Sequence, residues 1–218
     1  MENKRRKILF QGDSITDGNW GRNLDPNHIL GHGYVYIIAA QLGSQYAESQ
    51  PYFMNRGVSG NRVSDVYARW NEDAISLQPD LISLLVGVND VHSIITGSAR
   101  GATDRYERIY RQMLDETREV LPDTEIVLCE PFVMHSEATD KDWSEWSSKM
   151  EEYRSVVRHL AEDYNTLFVP LQETFNQAAN RADTAYWVWD GIHPTTAGHQ
   201  LIANEWLKVV QQSKYAIG

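Results

Sequence analysis

Five short apolar runs, separated by longer segments of helical spacing, constrain this chain more than any other feature. The runs are KILFQ (7–11), YFMNRG (52–57), DLISLLVGV (80–88), EIVLCE (125–130) and TLFVP (166–170). Between and after them lie GYVYIIAAQLG (33–43), RVSDVYARWNEDAISL (62–77), ATDRYERIYRQMLDETREVL (102–121), WSSKMEEYRSVVRHLAEDYN (146–165) and TAGHQLIANEWLKVVQQ (196–212). Most of these carry apolar residues at intervals of three and four, the period of a helix with one buried face. Strand then helix, repeated to the end, with strands that are almost continuously apolar, predicts an α/β fold: a parallel sheet covered on both faces. No repeat, low-complexity tract or Pro/Gly/Ser linker interrupts the alternation. A single domain over residues 1–218 is therefore expected, and 42% hydrophobic residues suffice for one large core.

Charge and cysteine content exclude several function classes. The formal net charge of −10 argues against nucleic acid and anionic membrane as partners, since both reward clustered Lys and Arg. The one basic cluster, Lys4-Arg5-Arg6-Lys7, reads as a solvated, frayed end. Cys129 is the only cysteine, so no intramolecular disulfide forms, and its apolar context makes it a buried strand residue. Ile8-Leu9-Phe10 is too short for a signal-peptide core, and no run approaches the ~20 apolar residues of a membrane span. A soluble, cytoplasmic protein is expected.

Parallel α/β sheets bind ligands at the carboxyl edge, where loops leave the strands. Two long connections, 88–102 and 131–145, follow strands and so lie there. The first strand ends at Gly12-Asp13-Ser14, the second in NRGVSGN (55–61) and the third in GVND (87–90), while WDGIHPTTAG (189–198) precedes the last helix. Taken alone each has a plain structural use. Ser14 with Asp17 three residues on looks like a helix N-cap, Asp190 like a turn residue and Gly57 and Gly60 like turn glycines. Taken together they supply what acyl transfer requires: a nucleophile, a base, a group to orient the base, and donors for an oxyanion. Asp190 and His193 are three apart, so the carboxylate can reach Nδ1–H and leave Nε2 free to take a hydroxyl proton. Gly60 offers an unobstructed N–H, Asn89 a side-chain amide, and Ser14 an N–H at a helix start.

This ordered set resembles the SGNH hydrolases, also called the GDSL esterases and lipases. Gly12-Asp13-Ser14-Ile15 matches the family's first block, Gly60 its second, Gly87-Val88-Asn89-Asp90 its third and Asp190 through Pro194 its fifth. The resemblance implies a flavodoxin-like three-layer α/β/α sandwich with Ser14 as nucleophile, His193 as general base and Asp190 as its orienting acid. It also implies an oxyanion hole from the Ser14 and Gly60 N–H groups and the Asn89 side chain. The wording GDSITD, GHGYV and NRGVSGNRVSDVYARWNEDAI is most similar to bacterial carbohydrate acetyl esterases of the acetylxylan type. That similarity implies removal of O-acetyl groups from xylose-based oligosaccharides, often by homo-oligomers, without a cofactor. The alternatives are a lysophospholipase, thioesterase or arylesterase of the same family, and a non-enzymatic flavodoxin-like binding module. The two aspartates of GDSITDGN, standing where phosphate charge would sit, oppose the last.

Other candidates are weaker. His28 and His32 are four apart, but no HExxH pattern or carboxylate partner accompanies them in the sequence, and no metal site is expected. His92 and His135 are placed to line the site, whereas His159 and His199 look like surface or packing residues. Asp13 leaves the chain beside Ser14 and cannot easily reach the far side of His193, so a structural role is expected. Five of seven tryptophans (Trp20, Trp143, Trp146, Trp187 and Trp189) cluster near the predicted catalytic edge, where aromatic faces suit sugar rings. Trp20, Trp143 and Trp189 are the substrate-lining candidates among them.

Overall fold

A computed structural model describes residues 5–23, 25, 26, 28–97 and 103–213. The five apolar runs become strands β1 (Lys7–Gly12), β2 (Tyr52–Asn55), β3 (Leu81–Leu85), β4 (Glu125–Cys129) and β5 (Leu167–Val169). They pair in parallel in the order β2-β1-β3-β4-β5. That is the flavodoxin-like order, in which the winding direction reverses between β1 and β3. Every residue of β3 is buried, so LISLL has no solvent face on which to alternate polar residues.

Among the described residues the helices are α1 (Ser14–Asp17), α2 (Tyr34–Gln45), α3 (Val63–Ala68), α4 (Trp70–Asp73), α5 (Val88–Ile95), α6 (Thr103–Val120), α7 (Trp143–Asp163), α8 (Leu171–Ala179), α9 (Thr184–Trp187) and α10 (Thr196–Gln211). Helix α10 packs against α2 and α8, while α6 packs against α3 and α7; these two groups form the outer layers. Each layer is pinned by a buried tryptophan with a satisfied indole. Trp206 donates to Ser83 Oγ in β3 at 3.0 Å, and Trp70 donates to Thr117 Oγ1 in α6 at 3.2 Å. Truncating either to alanine would cost about 3–5 kcal/mol.

The structure differs from the sequence expectations in several places. The single helix expected over 62–77 is broken at Arg69 (φ −116°, ψ 11°) and Ala74 (φ −137°, ψ −68°), giving α3, α4 and a 3-10 turn over Ile75–Leu77. The connection expected over 88–102 begins as α5, and residues 98–102 lie outside the described residues. Loop 131–145 ends early, because a 3-10 turn at Asp140–Asp142 leads into α7 at Trp143. Helices α8 and α9 were not expected, although Leu171, Phe175 and Ala178 carry a readable 4–3 spacing of buried residues. The basic N-terminal segment is tied down over its described part. Lys7 N–H donates to Asp80 Oδ2 (2.8 Å), Lys7 Nζ to the Leu77 carbonyl (3.1 Å) and Arg5 Nε to the Gln50 carbonyl (3.0 Å). Lys4 lies outside the described residues. Cys129 is buried as expected, and burial pushes its thiol up to about 12, which makes it inert. No helix among the described residues is long and apolar enough to cross a membrane.

Candidate active site

The turn after β1 sets the site. A Cβ on Gly12 (φ +156°) would lie 2.2 Å from the Leu85 carbonyl oxygen, so only glycine lets β1 and β3 close here. The spacing Ser14–Asp17 suggests Ser14 as the cap of α1; Asp13 holds that position instead. Its Oδ1 accepts Ile15 N–H at 3.0 Å, and Ser14 becomes the first helical residue with its hydroxyl free of capping. Asp17 does not serve the helix start either. Its carboxylate accepts Ser59 N–H at 3.0 Å and pairs with both terminal nitrogens of Arg22 at 3.1 and 3.0 Å.

Asp190 and His193 stand on a tight loop closed by an antiparallel bridge between Val188 and Pro194. Asp190 Oδ1 accepts the N–H groups of Ile192 (2.9 Å) and His193 (2.7 Å), which fixes the carboxylate and leaves Oδ2 for His193 Nδ1 at 2.6 Å. With Nδ1 donating to the carboxylate, Nε2 is the acceptor, and Ser14 Oγ lies 2.9 Å from it. Two residues 179 positions apart thus share a hydrogen bond. The hydrogen bond to Asp190 raises the His193 imidazole above its ordinary value against the opposing effect of burial, and the charges of Asp190 and Asp13 add to the rise. Burial pushes the Asp190 carboxyl up, but the His193 side chain, the His193 and Ile192 N–H groups and the imidazole charge outweigh it, and the net shift is downward.

The second set of residues comes from the ends of β2 and β3. Val58 N–H donates to the Gly12 carbonyl and Asn61 N–H to the Val58 carbonyl, both at 3.1 Å, which hangs the intervening Gly60 beside the nucleophile turn. Gly60 is exposed, with φ +83° and nothing within 4 Å of a notional Cβ, so backbone conformation rather than crowding calls for glycine. Asn89 Nδ2 donates to the Asn61 carbonyl at 3.1 Å, leaving its second hydrogen unspent there. Among the described residues the N–H groups of Ser14 and Gly60 have no acceptor. Next to Asn89, Asp90 Oδ2 accepts Val63 N–H at 3.0 Å and anchors the start of α3. Burial pushes both Asp13 and Asp90 up to about 7. The side-chain use of Asp90 and the carbonyl of Asn61 were not foreseen; their place inside the GVND and NRGVSGN blocks marks them without revealing what they hold.

The outer candidates divide. Trp189 is 63% exposed and stacks on His193, with centroids 6.1 Å apart and planes 20° apart. His92 lies exposed on α5 and stacks on Trp146 at 5.9 Å. His135 bonds Asp140 at 2.7 Å and meets the edge of Trp143 at 5.1 Å, one residue after Met134, whose N–H donates to the Gly191 carbonyl (2.8 Å). Trp143 borders a small cleft of about 180 Å³ with Arg154, Gln172 and Asn176. Trp20 donates its indole N–H to the Gly57 carbonyl (2.8 Å) under the Arg22 guanidinium and faces a cleft of about 560 Å³ beside edge strand β2. None of Trp20, His92, His135 and Trp143 is in hydrogen-bond or ring contact with the Ser14–His193–Asp190 set. Trp146 and Trp187 are core residues, only 4% and 8% exposed, so two of the five edge tryptophans offer no face to a ligand. His199 packs as expected: its Nδ1 accepts Tyr34 N–H at the start of α2, and burial pushes it down to about 4. His28 does have a carboxylate neighbour, Asp25 at 3.7 Å. Among the described residues no three His, Cys, Asp or Glu side chains form a group that could hold a metal ion.

The model of the GDSL-like lipase/acylhydrolase family matches residues 10–201. The chain belongs to this family. An acetylxylan esterase of Geobacillus stearothermophilus is 34% identical over 210 residues, covering 94% of this chain and 93% of that protein. A solved structure from Parabacteroides merdae, described as a GDSL-like lipase, is 42% identical with TM-score 0.92, over 96% of this chain and 97% of the other. The structure of Axe2, an acetylxylan esterase of Geobacillus stearothermophilus, has TM-score 0.85 at 32% identity over the full length of both chains. Catalytic mutants of Axe2 with a serine, an aspartate or a histidine replaced by alanine have also been solved. This member of the GDSL family is a carboxylic ester hydrolase.

Proposed function

We propose that the protein removes short O-acyl groups, acetyl foremost, from carbohydrates of the xylo-oligosaccharide class through an acyl-enzyme on Ser14. The observation that carries this is the unbroken line of hydrogen bonds from Ser14 Oγ through His193 to Asp190. Two further facts support it: acetylxylan esterases are among the relatives, and catalytic mutants of one of them alter the same three residue types. The residues involved run from position 14 to 193, so the whole chain is read as one catalytic unit.

In this mechanism Ser14 Oγ attacks the ester carbonyl carbon while His193 Nε2 takes its proton. The carbonyl electron pair moves to oxygen, and the Ser14 and Gly60 N–H groups and the spare Asn89 amide hydrogen donate to that oxyanion. Collapse breaks the bond to the sugar oxygen, which leaves with the proton from His193. Water then adds to the acyl carbon as His193 removes a proton from it; the second collapse releases acetate and returns the proton to Ser14. Asp190 keeps Nδ1 protonated and stabilises the imidazolium in both halves. Trp189, exposed against His193, offers an aromatic face to the sugar ring.

Acetate release from acetylated xylo-oligosaccharides, compared with hydrolysis of p-nitrophenyl acetate and p-nitrophenyl palmitate, tests the proposal. Wild type should release acetate from the oligosaccharides and prefer the acetyl to the palmitoyl ester; Ser14→Ala should do neither reaction. Hydrolysis of simple acetyl esters without release from the oligosaccharides would overturn the carbohydrate assignment. Preference for palmitate would point to a lipase or lysophospholipase, and an active Ser14→Ala variant would remove Ser14 as nucleophile.

A further inference from the structure

The break between α3 and α4 turns the Arg69 side chain inward, where it is 19% exposed and meets four separate acceptors. Its Nε donates to Asn61 Oδ1 (2.8 Å), Nη1 to the Arg56 carbonyl (2.8 Å) and Asp73 Oδ2 (3.0 Å), and Nη2 to the Gly12 carbonyl (3.2 Å). Only one of these acceptors is a carboxylate, so the arrangement is more than an ion pair with a neighbour on the same helical segment. The other three lie on the chain segments that carry the candidate oxyanion donors. Gly12 is two residues before Ser14, Asn61 follows Gly60 directly, and the Asn61 carbonyl holds Asn89 Nδ2.

We propose that Arg69 is a positioning residue for acyl transfer, a single guanidinium that sets the Ser14 N–H, the Gly60 N–H and the Asn89 amide relative to one another. It touches neither substrate nor the Ser14–His193–Asp190 line. Asn61 is the intermediary: its side chain is fixed by Arg69, its N–H by the Val58 carbonyl, and its own carbonyl aims Asn89. The planar fork of an arginine reaches acceptors in four directions; the single nitrogen of a lysine at the same position does not span them. Oxyanion stabilisation depends on donors already in place when charge develops, so loosening this fork falls on the transition state rather than on substrate binding.

The inference rests on the esterase reading of Ser14, and the test separates the two. If wild type hydrolyses p-nitrophenyl acetate and Ser14→Ala does not, that reading stands, and Arg69→Lys, Asn61→Ala and the double variant are then compared. Arg69→Lys should lower kcat about 10- to 100-fold with KM changed less than about twofold. It should slow phosphonylation of Ser14 by a serine-directed phosphonate in proportion, while the midpoint of the acid limb of the pH profile stays where wild type has it. Asn61→Ala, a loop substitution that keeps the backbone carbonyl, should lower kcat with an unchanged melting temperature. The double variant should fall no further than Arg69→Lys alone. Wild-type kcat in Arg69→Lys or Asn61→Ala, a loss confined to KM, or additive losses in the double variant would each overturn the proposal. If Arg69→Lys does not fold, the kcat of Asn61→Ala decides.

Discussion

The two halves of the candidate site are built in opposite ways. The acid–base half is local: between Asp190 and His193 three hydrogen bonds lie within four residues, and a bridge two residues before and one after closes the loop. The oxyanion half is distributed. Ser14, Gly60 and Asn89 leave three different strands, and the bonds that relate them span 28 and 57 residues of sequence. A local device survives as a spacing that can be read along the chain, whereas a distributed one exists only once the sheet has formed. Their surroundings differ too: Trp189 lies exposed over His193, while the Asp13 carboxyl next to Ser14 is buried.

The largest effect should come from breaking the local half. His193→Ala should reduce kcat by about 10⁴-fold or more, and Asp190→Asn, which keeps the size but offers Nδ1 the wrong partner, by about 10³- to 10⁴-fold. Steady-state hydrolysis of p-nitrophenyl acetate measures both, and a loss under tenfold in either would separate that residue from the chemistry. Next comes the distributed half: Asn89→Ala should cost about 10²- to 10³-fold in kcat with KM nearly constant. A pH series sharpens the contrast. Because its bond to Asp190 raises His193 above the free imidazole value of 6.5, kcat/KM should fall on the acid side with a midpoint above 6.5, and Asn89→Ala should leave that midpoint in place. Asp190→Asn removes the cause and should move the midpoint down; an acid limb at or below 6.5 in wild type would contradict the assignment.

The remaining effect is on stability. Asp13 titrates near 3.8 when unfolded and near 7 when folded, so the folded state binds the extra proton between those values. Stability from this group is therefore greatest below pH 4, declines as pH rises to about 7 and is flat above. Asp13→Asn keeps the oxygen that accepts Ile15 N–H but removes the titration. Its unfolding free energy relative to wild type should improve from pH 4 to pH 8 by up to about 4 kcal/mol. Urea unfolding at the two pH values measures it, and an equal difference at both would contradict the upward shift of the buried Asp13 carboxyl.

The same contrast explains what could be read from the residues. The five strands were legible as short apolar runs, unbroken in β3, which is buried along its whole length, and shorter in the partly buried edge strands β2 and β5. Asp190–His193 was legible because its geometry is carried by a spacing of three. The cap-like look of Ser14 taken alone has a physical resolution: Asp13, one residue earlier, also accepts N–H groups, and its Oδ1 takes Ile15 N–H, leaving the Ser14 hydroxyl free of capping. The role of Arg69 had no sequence signal, since two of its four acceptors are carbonyls that every residue possesses. The tryptophan cluster was only partly informative, because aromatic residues near a strand end serve the core as readily as a ligand, as Trp146 and Trp187 do.

The central claim is that Ser14 attacks the ester with His193 as its base. Intact-mass and peptide analysis after treatment with a serine-reactive phosphonate tests it most directly. One phosphonyl group should add to wild type on the peptide containing Ser14, far more slowly to His193→Ala, and not at all to Ser14→Ala. Labelling at another serine such as Ser59, or equal labelling of Ser14→Ala and wild type, would contradict the account.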